Sequence, residues 1–87
     1  HLYIVPAKVA GTWRMPEGTL TLEQQFQNVW GTFQAGEASV AIKGVLRGEE
    51  ILFSINAVEY SGRVQGDWME GIAKGVATNK WFARRER

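Results

Sequence analysis

Apolar and polar positions alternate along most of this chain, and no stretch keeps a helical period. In "TLTLEQQF", Leu20, Leu22, Gln24 and Phe26 share one face, while Thr19, Thr21, Glu23 and Gln25 take the other. The same period of two sets Val29, Gly31 and Phe33 together, then Val40 with Ile42, and Ile51 with Phe53 and Ile55. It recurs at Tyr60, Gly62 and Val64, and at Trp81, Ala83 and Arg85. A period of two is the mark of a strand with one face buried.

Reversals fall between these runs. Pro16-Glu17-Gly18 combines a fixed φ with a residue that tolerates a positive one. Gln27-Asn28, Gly36-Glu37, Arg47-Gly48-Glu49 and Gln65-Gly66-Asp67 read as further turns. "GVLRGEEI" and "GRVQGDWM" repeat one grammar, a strand entering a tight glycine turn and leaving as the next strand. The pattern predicts an all-β domain. About eight short antiparallel strands form an up-and-down meander, closed or nearly closed into a small barrel.

The inner face is expected to hold Val9, Trp13, Leu20, Leu22, Phe26, Phe33, Ile42, Leu46, Ile51, Phe53, Ile55, Tyr60, Val64 and Trp81. Gln24 and Arg85 share that phase and need hydrogen-bond partners if buried. "VAGTW" and "VWGTF" place Gly11 and Gly31 two residues before Trp13 and Phe33, on the same face. An inward glycine either leaves room for a large side chain across the barrel or lets the strand coil sharply. Trp30, Trp68, Ile72 and Phe82 fall on the outer phase. These four are the candidate interface, and Trp68, Ile72 and Phe82 are expected to be neighbours because they lie on consecutive predicted strands.

Composition narrows the chemistry. The 87 residues make one domain and include no cysteine, so disulfides and thiolate metal sites are excluded. The formal net charge of +1 gives no general attraction to nucleic acid or to an anionic membrane. The longest apolar run, Leu2–Val5, is too short to span a bilayer and lacks the flanks of a signal peptide. Localisation stays open, with the lack of cysteine leaning slightly towards the cytoplasm. His1 is the single histidine, which excludes a histidine-based triad or a zinc site of several histidines within the chain. Asp67 with Glu70, and Glu49 with Glu50, read as turn and solvated-face polarity rather than as a catalytic pair. The chain is therefore expected to be no enzyme, with no catalytic residue, metal ligand or cofactor site of its own. Arg84, Arg85 and Arg87 with four tryptophans allow a base-stacking barrel, a reading the near-neutral charge argues against. The start at His1 without Met is read as that of a fragment or processed product, the C-terminal piece of a larger protein.

Two resemblances add to this. "GTW" on the first long strand and an arginine on the last resemble lipocalins, avidins and related calycin barrels. In those families a first-strand tryptophan packs beneath a last-strand arginine. The resemblance implies structural roles for Gly11, Trp13 and Arg85, with Arg84 as the neighbouring alternative, and Arg85 against Trp13 as a cation–π tie between the last strand and the first.

The second resemblance covers nearly all of residues 1–87. "IVPAKVAGTWR", "GTLTLEQQFQ", "VLRGEEILFSI", "YSGRVQGDWMEG" and "WFARR" look like the small β domain at the C-terminus of certain bacterial class I S-adenosylmethionine-dependent methyltransferases. The matching positions are mostly apolar residues and glycines, among them Gly31, Gly48, Gly62, Gly66, Gly71, Trp81 and Arg85. This implies an upstream catalytic domain as the partner, with residues 1–7 as junction or first strand and Val5-Pro6-Ala7 at the join. S-adenosylmethionine is implied for that parent only, since no nucleotide-binding glycine loop is present here. The expected function is that of an accessory barrel supporting or positioning the catalytic domain. A small-ligand calycin-like barrel is the runner-up and a single-strand nucleic-acid module the third.

Overall fold

A computed structural model describes residues 8–86, and it is all-β. Eight strands follow in chain order: β1 (Gly11–Met15), β2 (Gly18–Gln25), β3 (Asn28–Ala35), β4 (Ala38–Arg47), β5 (Glu50–Ile55), β6 (Val58–Gln65), β7 (Trp68–Lys74) and β8 (Thr78–Arg85). Each pairs antiparallel with the next, and β8 returns to β1, so the meander closes into a barrel. His1, the Leu2–Val5 run, the Val5-Pro6-Ala7 junction and Arg87 lie outside the described residues.

Two-residue loops make most of the hairpins. In five of them the first loop residue has a positive φ: Phe26, Gly36, Gly48, Asn56 and Gly66. Such a backbone turns with the right-handed twist of the strands it joins, and glycine or asparagine normally supplies it. Phe26 departs from the rule. Alternation predicts it inside, but β2 ends at Gln25, and Phe26 stands in the turn at φ 56° with 76% of its surface exposed. The reversal read at Gln27-Asn28 lies one residue earlier, at Phe26-Gln27, because Asn28 already pairs with Gln25 as the start of β3.

The other predicted inner positions point inward. Thirteen are Val9, Trp13, Leu20, Leu22, Phe33, Ile42, Leu46, Ile51, Phe53, Ile55, Val64 and Trp81, all buried, and Tyr60, half-buried against them. Met15, Val29, Met69, Ala73 and Ala83 complete the core. Among the described residues no polar or charged side chain is buried. The barrel is thus filled by its own apolar side chains, as its small girth requires.

The inward glycines do two jobs. At Gly31 a β-carbon would strike the backbone carbonyl of Thr21 on the paired strand, so the glycine serves close approach of two strands. At Gly62 an added β-carbon would come within 2.8 Å of Trp81 Cζ2. Trp81 lies opposite Gly71, which in turn lies opposite Gly62, so two bare backbones form the floor on which its indole rests.

Candidate functional site

The barrel has two ends of different character. At one end the chain enters through Lys8–Ala10, and Val9 is fully buried there as a plug. Val9 donates its N–H to Gln24 Oε1 (2.8 Å), and Gln24 Nε2 donates to the Phe26 carbonyl (2.8 Å). This meets the hydrogen-bonding demand that the phase of Gln24 creates. Trp13 Nε1 donates to the Val9 carbonyl at 2.9 Å, so the indole closes the underside of the same turn of chain.

Arg85 ties this end together. Its guanidinium carbon lies 4.4 Å from the centroid of the Trp13 ring, the predicted cation–π contact. Its Nη1 and Nη2 donate to the carbonyls of Ala10 and Lys8, both at 2.7 Å, and Nε donates to Asp67 Oδ1 at 3.0 Å. One side chain of the last strand therefore holds the first strand, the plug and the β6–β7 turn. Gly11 makes this fit: its φ of 129° favours glycine, and a β-carbon there would stand 3.3 Å from Arg85 Nη1. Arg84, the neighbouring alternative, points outward. The Asp67 partnership was not read from the sequence, because Asp67 and Arg85 become neighbours only through the β7–β8 pairing.

Deeper in the barrel, Phe53 and Tyr60 stack as a cross-strand pair, with centroids 5.0 Å apart and planes 6° apart. Trp81 meets both edge-on, at 5.3 and 5.7 Å, and donates Nε1 to the Ser61 carbonyl at 3.0 Å. Partial burial, then the nearby carboxylate of Glu17, raises the Tyr60 pKa above the usual tyrosine value. The aromatic trio fills space inside the barrel.

The outer surface holds the remaining candidates. Trp68 and Phe82 stack on each other outside the barrel, with centroids 5.2 Å apart and planes 13° apart. They sit diagonally across β7 and β8, and Ile72 is diagonal to Phe82 on its other side. The three predicted neighbours are neighbours. Glu70, directly opposite Phe82, accepts a hydrogen bond from Trp68 Nε1 at 3.2 Å. Asp67 and Glu70 therefore serve separate partners, Arg85 and Trp68. Trp30 also faces outward but stands on β3, on the far side of the barrel from β7. There it donates Nε1 to Glu23 Oε2 at 3.2 Å and lies diagonal to exposed Val45, which faces exposed Leu52 across β4 and β5. Those two sit on the outer phase of their strands, a signal the alternation already contained.

Among the described residues no group of three or more His, Cys, Asp or Glu side chains is gathered to hold a metal ion. Nor, among those residues, is any helix long and apolar enough to cross a membrane. Compared with protein-family models, curated proteins and solved structures, the chain gives no match.

Proposed function

We propose that this chain is a non-catalytic accessory barrel that docks on, and supports or positions, the catalytic domain of an S-adenosylmethionine-dependent methyltransferase within one longer polypeptide. The observation that carries the docking role is the Trp68–Phe82 stack with Ile72 beside it on the outside of β7 and β8. Large aromatic side chains held rigidly at the surface are the residues that dominate binding energy at protein interfaces. The interior supports the same reading, because it is occupied by the chain's own side chains. The methyltransferase parent rests on the resemblance of the "GTW", "YSGRVQGDWMEG" and "WFARR" stretches. The test is the double substitution Trp68→Ser and Phe82→Ser in the full polypeptide. The barrel stays folded, while hydrogen-exchange protection of β7 and β8 by the catalytic domain is lost. Unchanged protection rejects this face as the docking face, and unfolding of the barrel assigns the pair to its stability instead.

A second reading is a calycin-like ligand barrel, favoured by the Trp13–Arg85 contact beneath the plugged end. Small apolar ligands would have to displace the Phe53, Tyr60 and Trp81 rings to enter. Amide shifts concentrated at those residues on addition of such ligands would favour this reading over the accessory one.

A further inference from the structure

The seam that closes the barrel is short. β1 pairs with β8 only at Trp13↔Arg85 and Arg14↔Arg84, and then turns away at Pro16. β8 continues for six residues beyond that pairing, from Ala83 back to Thr78, where, among the described residues, it pairs with β7 alone. The direction of its amides is fixed at the foot of the seam. Arg85 N–H goes to the Asp67 carbonyl on the β7 side, and Glu86 N–H goes to the Thr12 carbonyl on the β1 side. Backbone groups alternate along a strand, so those of Phe82, Lys80 and Thr78 face the side that β1 has left. Among the described residues, none takes up that edge in a ladder.

We propose that this edge of β8 accepts a short extended segment of the docked domain as an added strand, with an acidic residue opposite Lys80 and an apolar one opposite Phe82. The inference rests on the reading of the β7–β8 side as the docking face, and it names the mode and the chemistry of the partner. Strand addition takes its affinity from main-chain hydrogen bonds and its selectivity from alternate side chains. Here the alternate side chains are Phe82, already stacked on Trp68, and Lys80.

Charge decides between occupants. Lys80 has Lys74 on the neighbouring strand and Arg84 further along its own, while Glu70 is engaged by the Trp68 indole and Glu17 lies in the turn at the foot of the gap. A second copy pairing antiparallel over the whole Thr78–Phe82 edge would set Lys80 directly opposite Lys80 of that copy. Like charges directly opposite each other destabilise a strand pair. A lysine on an open edge is also the usual device against self-association. An extended strand carrying an acid meets the same geometry with attraction.

The experiment uses capped heptapeptides that read the same in both directions. TVTETVT presents a central glutamate between two valines, TVTKTVT reverses the charge, and a third peptide is TVTETVT N-methylated at the glutamate. Amide spectra of the chain are recorded up to millimolar peptide, with hydrogen exchange and sedimentation alongside. TVTETVT shifts the Lys80 and Phe82 amides and slows exchange at Phe82. TVTKTVT binds about fivefold more weakly or worse, and the N-methylated peptide, which lacks the central N–H, does not bind. Lys80→Glu inverts the preference between the two charged peptides, an inversion that a purely structural role for Lys80 does not give. Absence of shifts at Lys80 and Phe82 overturns the inference, and it does so independently of the Trp68 and Phe82 test of the docking face. Dimerisation through this edge, or shifts produced by single-stranded oligo-uridine in place of peptide, also overturns it.

Discussion

Replacing Arg85 by methionine is the sharpest perturbation of the closed end. Methionine keeps an unbranched apolar stem over the Trp13 ring, so the loss falls on the guanidinium alone. Three kinds of contact go with it. The cation–π contact at 4.4 Å is worth about 0.5–1 kcal/mol. The bonds to the Ala10 and Lys8 carbonyls lie near solvent, where water replaces part of each, leaving about 0.5–1 kcal/mol apiece. The Asp67 ion pair is partly exposed, with 21% and 39% of the two side chains accessible, and screening holds it to about 0.2–1 kcal/mol. Arg85→Met therefore costs about 2–4 kcal/mol. For a domain of this length that corresponds to a fall in Tm of about 10–30 °C. Arg85→Lys keeps the charge but not the planar fork, so it cannot serve both carbonyls and Asp67 together, and it falls between the two. Thermal unfolding followed by far-ultraviolet circular dichroism and by tryptophan fluorescence measures both variants. An Arg85→Met chain that melts within about 3 °C of the parent would refute the claim that this side chain ties the ends of the barrel together.

Three further outcomes follow from the same geometry. Phe26→Asn relieves a bulky residue held at φ 56° and exposed in its turn, and raises stability by about 1 kcal/mol; an unchanged or lower midpoint in a urea titration would contradict the strain. Gly31→Ala drives a β-carbon into the Thr21 carbonyl and costs about 2–3 kcal/mol, while Gly36→Ala, with open space but a φ of 62°, costs about 1 kcal/mol, so equal losses in chemical denaturation would show that crowding at Gly31 is not the cause. Tyr60 holds its proton more tightly in the folded state, through burial first and Glu17 second, so its contribution is complete below the ordinary tyrosine pKa of about 10 and is lost as pH rises through the higher folded value. Tyr60→Phe should flatten that alkaline loss in a stability–pH series, and an identical slope would remove Tyr60 as its source.

Most of the fold could be read from period-two alternation, because which face a strand residue takes is a local property. The runs around Leu20, Ile51 and Val64 each point the way their sequence states. The one inner position that fails, Phe26, fails where alternation gives way to a turn whose first residue is neither glycine nor asparagine. The Arg85–Trp13 contact was also accessible before the structure, through likeness to calycin barrels and through the phase of both residues.

What only the tertiary structure decided depends on closure. How far β8 slides past β1 is set by the registers of all the hairpins together, and no single stretch contains it. That sum makes Asp67 the partner of Arg85, puts Trp30 on the far side of the barrel from Trp68 and Phe82, and leaves the edge of β8 away from β7 at Thr78–Phe82 with no strand from the described residues beside it. Alternation along the chain fixes in from out; the angular position of a residue around the barrel, and the backbone left unpaired at its seam, follow only once the eight strands are joined.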